Sequence, residues 1–215
     1  MTRLHYVSEL ESARQNMIEM GATTLALFDL ALGTIAVPDA EAASKAQALE
    51  EVTDEQNRRI HEQCLSLITL QAPVARDARL VTGILEGIVD VELIADYAAE
   101  ISWLSVGCTK RPTSQIANQV RELGDRIRAM LAVAIESWRT EDREQALSVR
   151  PHESVIRSDC QTLYEKLAQL TSLPGDPAAY VNLLLICRHL ERIARHSVNV
   201  AELAAAAAPA IDQRQ

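Results

Sequence analysis

A chain of 215 residues is long enough to bury a sizeable core, as one large domain or two small ones. Its formal net charge of −9, with no block of Lys and Arg, excludes a dedicated nucleic-acid binder and favours cations or basic partner surfaces as ligands. Cys64, Cys108, Cys160 and Cys187 are scattered without a CxxC pair, which excludes a zinc-finger signature and a disulfide framework and fits a reducing, cytoplasmic compartment.

The opening stretch MTRLHYVSELESARQ carries charge where a signal peptide needs an apolar run. No stretch approaches the ~18 apolar residues of a membrane helix, so a soluble chain is expected, reaching a membrane only through a partner. Seven glycines, seven prolines and 3% aromatic residues, among abundant Ala, Leu, Glu, Arg and Gln, predict an all-α fold.

Apolar residues recurring at three and four positions, cut by turn signals, predict six long helices. The first runs from about Tyr6 to Ile35 and stops before Pro38. Asp39 caps a second, which passes through Leu49, Ile60, Cys64 and Ile68 to Gln71, and Ala72 and Pro73 make the next corner. A third spans about Ala75 to Val106, with Gly107 as its stop and Lys110 to Thr113 as a short linker. A fourth runs from about Ser114 to Trp138. The fifth, from about Asp142 to Leu173, is kinked or split by Pro151, which removes a backbone hydrogen bond. Asp176 and Pro177 then read as N-cap and first helical residue of a sixth helix that ends in an Ala-rich tail.

The last helix repeats the third. Shifting by ninety-nine positions matches Glu92 to Glu191, Val91 to Leu190, Ile94 to Ile193, Ala95 to Ala194 and Leu85 to Leu184. Two tandem three-helix bundles related by pseudo-twofold symmetry follow as the expected architecture. The first bundle is placed at residues 1–106 and the second at 114–215, with 107–113 between them.

Glu92, Asp96 and Glu100 stack one turn apart on the third helix, as do Glu50, Asp54 and Asn57 on the second. If these helices pack side by side and antiparallel, the two acidic stripes meet and offer oxygen ligands to a hard or borderline cation. On spacing alone, a solvated acidic face is the weightier reading. His61 and Glu62 follow without an ExxH or HExxH constellation, so a ferritin-like di-iron centre has little support. In the second half Glu191 and Arg195 form an i, i+4 pair, which reads as a salt bridge. His152, His189 and His196 read as surface or packing residues, and Trp103 and Trp138, near helix ends, as packing anchors. No Gly-rich phosphate loop, GxSxG elbow or Cys–His nucleophile context is present, so no catalytic residue is assigned.

The stretch LLLICRHLERIARHSVNVAE resembles the repeat signature ERIGDHAxNIAE of the PhoU family of phosphate-transport accessory regulators. In the first half, HEQCLSLITLQAPVARDARLVTGILEGIVDVELIADYAAEI resembles the same helix–corner–helix unit, with Pro73 to Arg79 at the corner. The resemblance covers nearly the whole chain. It implies two three-helix bundles, dimerisation, and coupling of a phosphate ABC transporter to a sensor histidine kinase. It also implies acidic E(D)xxxD motifs able to hold iron, zinc, manganese or magnesium ions on the bundle surface. Carried over by position, the metal ligands would be Glu50, Asp54, Glu92, Asp96 and Glu191. In the second half Arg195 and Arg157 stand where the family carries acids, so ions are expected mainly in the first. The two arginines are expected to pair with Glu153, Asp159 or Glu191 across helices five and six, in place of the metal's charge.

The leading expectation is therefore a non-enzymatic regulator of phosphate uptake and starvation signalling, repressing in high phosphate. It would be cytoplasmic or peripheral at the inner membrane, bind the transporter ATPase and the kinase, and not insert into the bilayer. The alternatives are a metal-binding or metal-storage helical protein, and a specialised paralogue of the regulator.

Overall fold

The computed structural model describes residues 3–70, 75–107, 114–171 and 177–209, which are helical almost throughout. The Pro73 corner, most of the 107–113 linker, Cys108 and the Asp176 cap lie outside the described residues. Among the described residues there are six long helices: α1 (Arg3–Ala36), α2 (Ala40–Leu70), α3 (Ala75–Val106), α4 (Ser114–Thr140), α6 (Arg150–Thr171) and α7 (Pro177–Ala207). A five-residue α5 (Arg143–Leu147) sits between α4 and α6.

Local chemistry sets these boundaries. Asp39 Oδ1 accepts from the amides of Glu41 at 2.9 Å and Ala42 at 3.2 Å, satisfying donors that the first turn of α2 leaves open. The predicted fifth helix is split. Glu141, at φ 54°, closes α4 in the left-handed region, and Asp142 then caps α5 by accepting from Glu144 and Gln145. Pro151 is the second residue of α6, inside the first turn, where its missing N–H costs nothing.

The helices α1, α2 and α3 form one bundle and α4, α6 and α7 the other, while α5 folds over α7. Two seams join the bundles: α1 against α4, and the more extensive packing of α3 against α7. A single continuous apolar core runs through both, from Met17, Phe28, Ile84 and Ile94 to Ile127, Leu131, Leu190 and Ile193. Trp138 fills the seam with its indole N–H donated to Val200 O at 3.0 Å, the anchoring role expected of it.

The α1–α4 seam is built on two glycines. A Cβ on Gly21 would meet Ile135 Cδ1 at 2.4 Å, and a Cβ on Gly124 would meet Leu32 Cδ2 at 2.3 Å. The two contacts are reciprocal: Gly21 of α1 receives a side chain of α4, and Gly124 of α4 receives one of α1. Pseudo-twofold symmetry requires this of two repeats crossing on their own axis.

One expectation is corrected. The helix α1 is long and apolar enough to cross a membrane by length and composition. Its apolar content faces protein: Tyr6, Met17, Leu27 and Phe28 are fully buried, and the helix packs on α2, α3 and α4. A helix with neighbours on three sides needs apolar residues around most of its circumference, and this raises its hydropathy without a bilayer.

Candidate metal centre

On α2, Glu50 and Asp54 are one turn apart; on α3, Glu92 and Asp96 are likewise one turn apart. The side-by-side packing of α2 and α3 brings the two stripes together, with Glu50, Asp54 and Glu92 half-buried and Asp96 and Glu100 exposed. Carboxylate oxygens of Glu50, Asp54 and Asp96 all lie within 4.8 Å of one another. Oxygens on opposite sides of a Mg²⁺ or Ca²⁺ ion stand about 4–5 Å apart, so the three converge within the reach of one hard cation. They edge a cleft of about 400 Å³ that is also lined by Gln47, Glu92, Ala99, Glu100 and Trp103.

The electrostatics of the cleft are those of like charges held together. Partial burial, then the neighbouring Asp54, Asp96, Glu51 and Glu92 carboxylates, raise the Glu50 pKa above its ordinary value. Partial burial followed by Asp96 and Asp54 raises that of Glu92, with the Asn57 amide opposing. Partial burial followed by Asp54 raises that of Asp96. A cation among these groups removes the mutual repulsion, so the donor set fits an oxygen-preferring ion. Four of the five residues carried over as metal ligands line this one cleft.

Glu191, the fifth, is engaged elsewhere. In the second bundle its Oε2 accepts from Tyr164 Oη at 2.9 Å and from Arg188 Nη1 at 2.6 Å. The expected pairing is met in one partner, Arg157 with Glu153, but its placement across the helices and the pairing of Arg195 are corrected. Arg157 pairs with Glu153 at 2.7 Å within α6, Asp159 is taken by Arg126 of α4 at 2.6 Å, and Arg195 makes no ion pair among the described residues. An arginine reaches a carboxylate one turn away on its own helix with less ordering than one on another helix. Tyr164, rather than an arginine, ties α6 to α7 at this position.

Sequence reading missed two features. Trp103 is 66% exposed and stands at the edge of the acidic cleft instead of anchoring the core. Its matched position ninety-nine residues on is Glu202, a polar residue that marks this as an outward-facing place on the helix. The second is a buried polar cluster on the α3–α7 seam. Asp90 Oδ1 stands 2.6 Å from His196 Nδ1 and accepts from Asn199 Nδ2 at 3.0 Å. Tyr97 lies beside both His189 and His196, with ring centroids 5.5 and 5.8 Å away. Nothing in the cluster resembles a nucleophile and its base. The buried thiols Cys64 and Cys160 are pushed up to about 12 by desolvation, which keeps them protonated and unreactive.

The chain is 28% identical over 200 residues to a phosphate-specific transport system accessory protein PhoU homolog of Synechocystis, covering 93% of this chain and 89% of that one. It is 26% identical over 208 residues to the homolog of Pseudomonas aeruginosa, covering 93% and 85%. Its fold superposes on the crystal structure of PhoU from Pseudomonas aeruginosa with a TM-score of 0.87 at 24% identity, covering 93% of this chain and 96% of that one. The phosphate transport system regulatory protein PhoU from Streptococcus pneumoniae gives 0.85 at 22%, covering 93% and 94%. The PhoU domain itself matches twice, at residues 17–103 and 120–204, one copy in each bundle and together most of the chain. With one PhoU domain in each bundle, this chain belongs to the PhoU family.

Proposed function

We propose that the chain is a non-enzymatic accessory regulator of phosphate uptake, an adaptor between a phosphate ABC transporter ATPase and the sensor histidine kinase that reports phosphate limitation. The observation that carries this reading is the tandem pair of PhoU domains spanning one continuous core, shared with relatives named as accessory proteins of phosphate-specific transport. In this reading the chain represses the starvation response when phosphate is plentiful. It works as a homodimer on the cytoplasmic side, held at the inner membrane by its protein partners. A net charge of −9 is repelled by anionic lipid, which agrees with recruitment through protein.

Pull-downs from phosphate-replete and phosphate-starved cells test the adaptor role. Both transporter ATPase and kinase should be captured, in proportions that change with phosphate; capture of neither in either state would end it. Deletion of the gene should leave alkaline phosphatase derepressed in rich medium.

The convergence of Glu50, Asp54 and Asp96 favours a second reading, in which metal binding is the principal task. Elemental analysis of purified protein separates the two. A regulatory site holds one or a few ions per chain, whereas storage requires many.

A further inference from the structure

Matched positions in the two bundles line clefts of opposite charge. The first cleft presents Glu50, Asp54, Glu92, Asp96 and Glu100 and no basic residue. The second, of about 390 Å³, presents Arg157, Arg188, Arg192 and Arg195 with only Glu153 and Glu191 among them. Arg195 stands at the position of Asp96, Arg192 at that of Leu93 and Arg188 at that of Val89, while Asn199 replaces Glu100. On α6, Arg157 matches Asp54 as Glu153 matches Glu50.

Both carboxylates of the second cleft already have partners, Arg157 at 2.7 Å for Glu153 and Arg188 at 2.6 Å for Glu191. Two guanidinium charges remain. Arg192 lies over the Tyr97 ring at 5.3 Å, with its Nη1 3.5 Å from the phenol oxygen, and has no carboxylate partner among the described residues. Arg195 is exposed and likewise makes no ion pair there.

We propose that this second cleft is an anion site for a phosphate group, with Arg192 and Arg195 supplying the charge that binds it. Two uncompensated guanidinium groups match a dianion, as phosphate is near neutral pH, better than a single carboxylate. The planar guanidinium fork suits two oxygens of one tetrahedral oxyanion. Because the whole chain is acidic, an anion is held only where arginines outnumber carboxylates, as four to two do in this cleft. A bare phosphate does not fill about 390 Å³, so the shared chemistry is a phosphate oxyanion, free, condensed or esterified. The inference does not depend on the regulatory reading, since it concerns binding by the purified chain.

The test is calorimetric titration of the full chain, treated with chelator, at physiological salt, with inorganic phosphate, tripolyphosphate, ADP and acetate in separate runs. Saturable one-to-one binding of at least one phosphate species is expected, with acetate inert, and the strongest binder tells free from condensed or esterified phosphate. Arg192→Gln and Arg195→Gln should each weaken it about tenfold, the loss of one charge-assisted contact. Arg126→Gln, which removes an exposed arginine outside the cleft, should leave it unchanged. Circular dichroism should show all three variants folded, because none of the three arginines is buried. Absence of binding by all three phosphate species overturns the proposal, as does equal binding of acetate or retention of full affinity in both arginine variants. Loss of binding in Arg126→Gln also overturns it, since the arginines of this cleft would then not be what holds the anion. Loss of self-association in Arg195→Gln, without phosphate binding in the wild type, would assign the arginines to a second copy's acidic face instead.

Discussion

Asp90 of α3 and His196 of α7 meet at 2.6 Å across the seam that joins the two bundles, and Asn199 donates to the same carboxylate oxygen at 3.0 Å. Their relation is symmetric in origin: His189 occupies the position of Asp90 in the second repeat, and Tyr97 that of His196 in the first. The mirror contact is His189 against Tyr97, 5.5 Å between centroids, so one half of the duplication holds a charge-assisted hydrogen bond and the other an aromatic contact. The helix stripe of Glu191, Arg195 and Asn199 is thereby divided. Asn199 turns inward to the seam, Glu191 is held by Tyr164 and Arg188, and Arg195 stays outside.

Removing the Asp90 carboxylate leaves the buried His196 ring nitrogen and the Asn199 amide without an acceptor. Asp90→Ala should therefore lower stability by about 1–3 kcal/mol in urea unfolding, the range for an orphaned buried polar group. Asp90→Ala should be milder in a His196→Phe background, since one of the two orphaned groups is gone. Additive losses would mean that the two residues do not stabilise each other.

The reciprocal glycine contacts differ in tolerance. At Gly21 an added Cβ meets Cδ1, Cγ1 and Cγ2 of Ile135 at 2.4, 2.9 and 2.9 Å, so no single rotamer change clears it. At Gly124 only the far end of Leu32 is in the way, with its Cγ at 3.5 Å. Gly21→Ala should destabilise by about 1–3 kcal/mol through overpacking, despite a helix-propensity gain near 1 kcal/mol. Gly124→Ala should be close to neutral as Leu32 rotates. Thermal unfolding of both variants decides; the reverse ranking would contradict the packing described for this seam. In an Ile135→Ala background the penalty at Gly21 should shrink.

Much of this fold was legible because its signals are local. Asp39 and Pro151 act on their own turns, and the ninety-nine-residue match of α3 with α7 is carried by core positions such as Ile94 and Ile193, which packing fixes in both copies. The pairing of Glu50 and Asp54 with Glu92 and Asp96 was legible only conditionally, because spacing places residues on a face but does not say which neighbour that face meets. The Asp90–His196 contact had no local signal. Its members are 106 residues apart, and either alone reads as a common helix residue. Arg195 shows the converse limit: its i, i+4 relation to Glu191 predicts a pair, but Arg188 and Tyr164 reach that carboxylate first.

The two repeats should differ in their response to metal. In titrations with magnesium, manganese, iron and zinc, Glu50→Gln and Asp96→Asn should each weaken the first binding event about tenfold or more, since ligand charge sets the affinity of an oxygen site. Glu191→Gln should leave that event unchanged, because Glu191 is bound to Tyr164 and Arg188 in the other bundle. Equal losses in all three variants would place Glu191 in the same site as the acidic cleft. Arg195→Asp should restore part of a second site by returning a carboxylate to the position matched with Asp96.

The acidic cleft also predicts a pH dependence of the metal-free protein. Burial and mutual repulsion raise the pKa values of Glu50, Glu92 and Asp96 in the folded state above their ordinary carboxylate range, about 4 in an unfolded chain. Below that range the groups are protonated in both states, and whatever stability they contribute is fully present. As pH rises through the raised folded values, the folded chain still holds protons that the unfolded chain has released, so this contribution is lost. Other paired carboxylates slope the opposite way, which makes the difference between variant and wild type the quantity to measure. Asp96→Asn should not change stability well below pH 4, and should raise it progressively from there to neutral pH as the repulsion it removes develops. Bound metal should cancel this advantage: it neutralises the repulsion in the wild type, releases protons on binding, and therefore binds more tightly as pH rises. Urea unfolding of both proteins from acid to neutral pH, with chelator and with saturating metal, provides the four curves. A stabilisation by Asp96→Asn that is the same at acid and neutral pH, or that persists with saturating metal, would show that cleft repulsion is not its source.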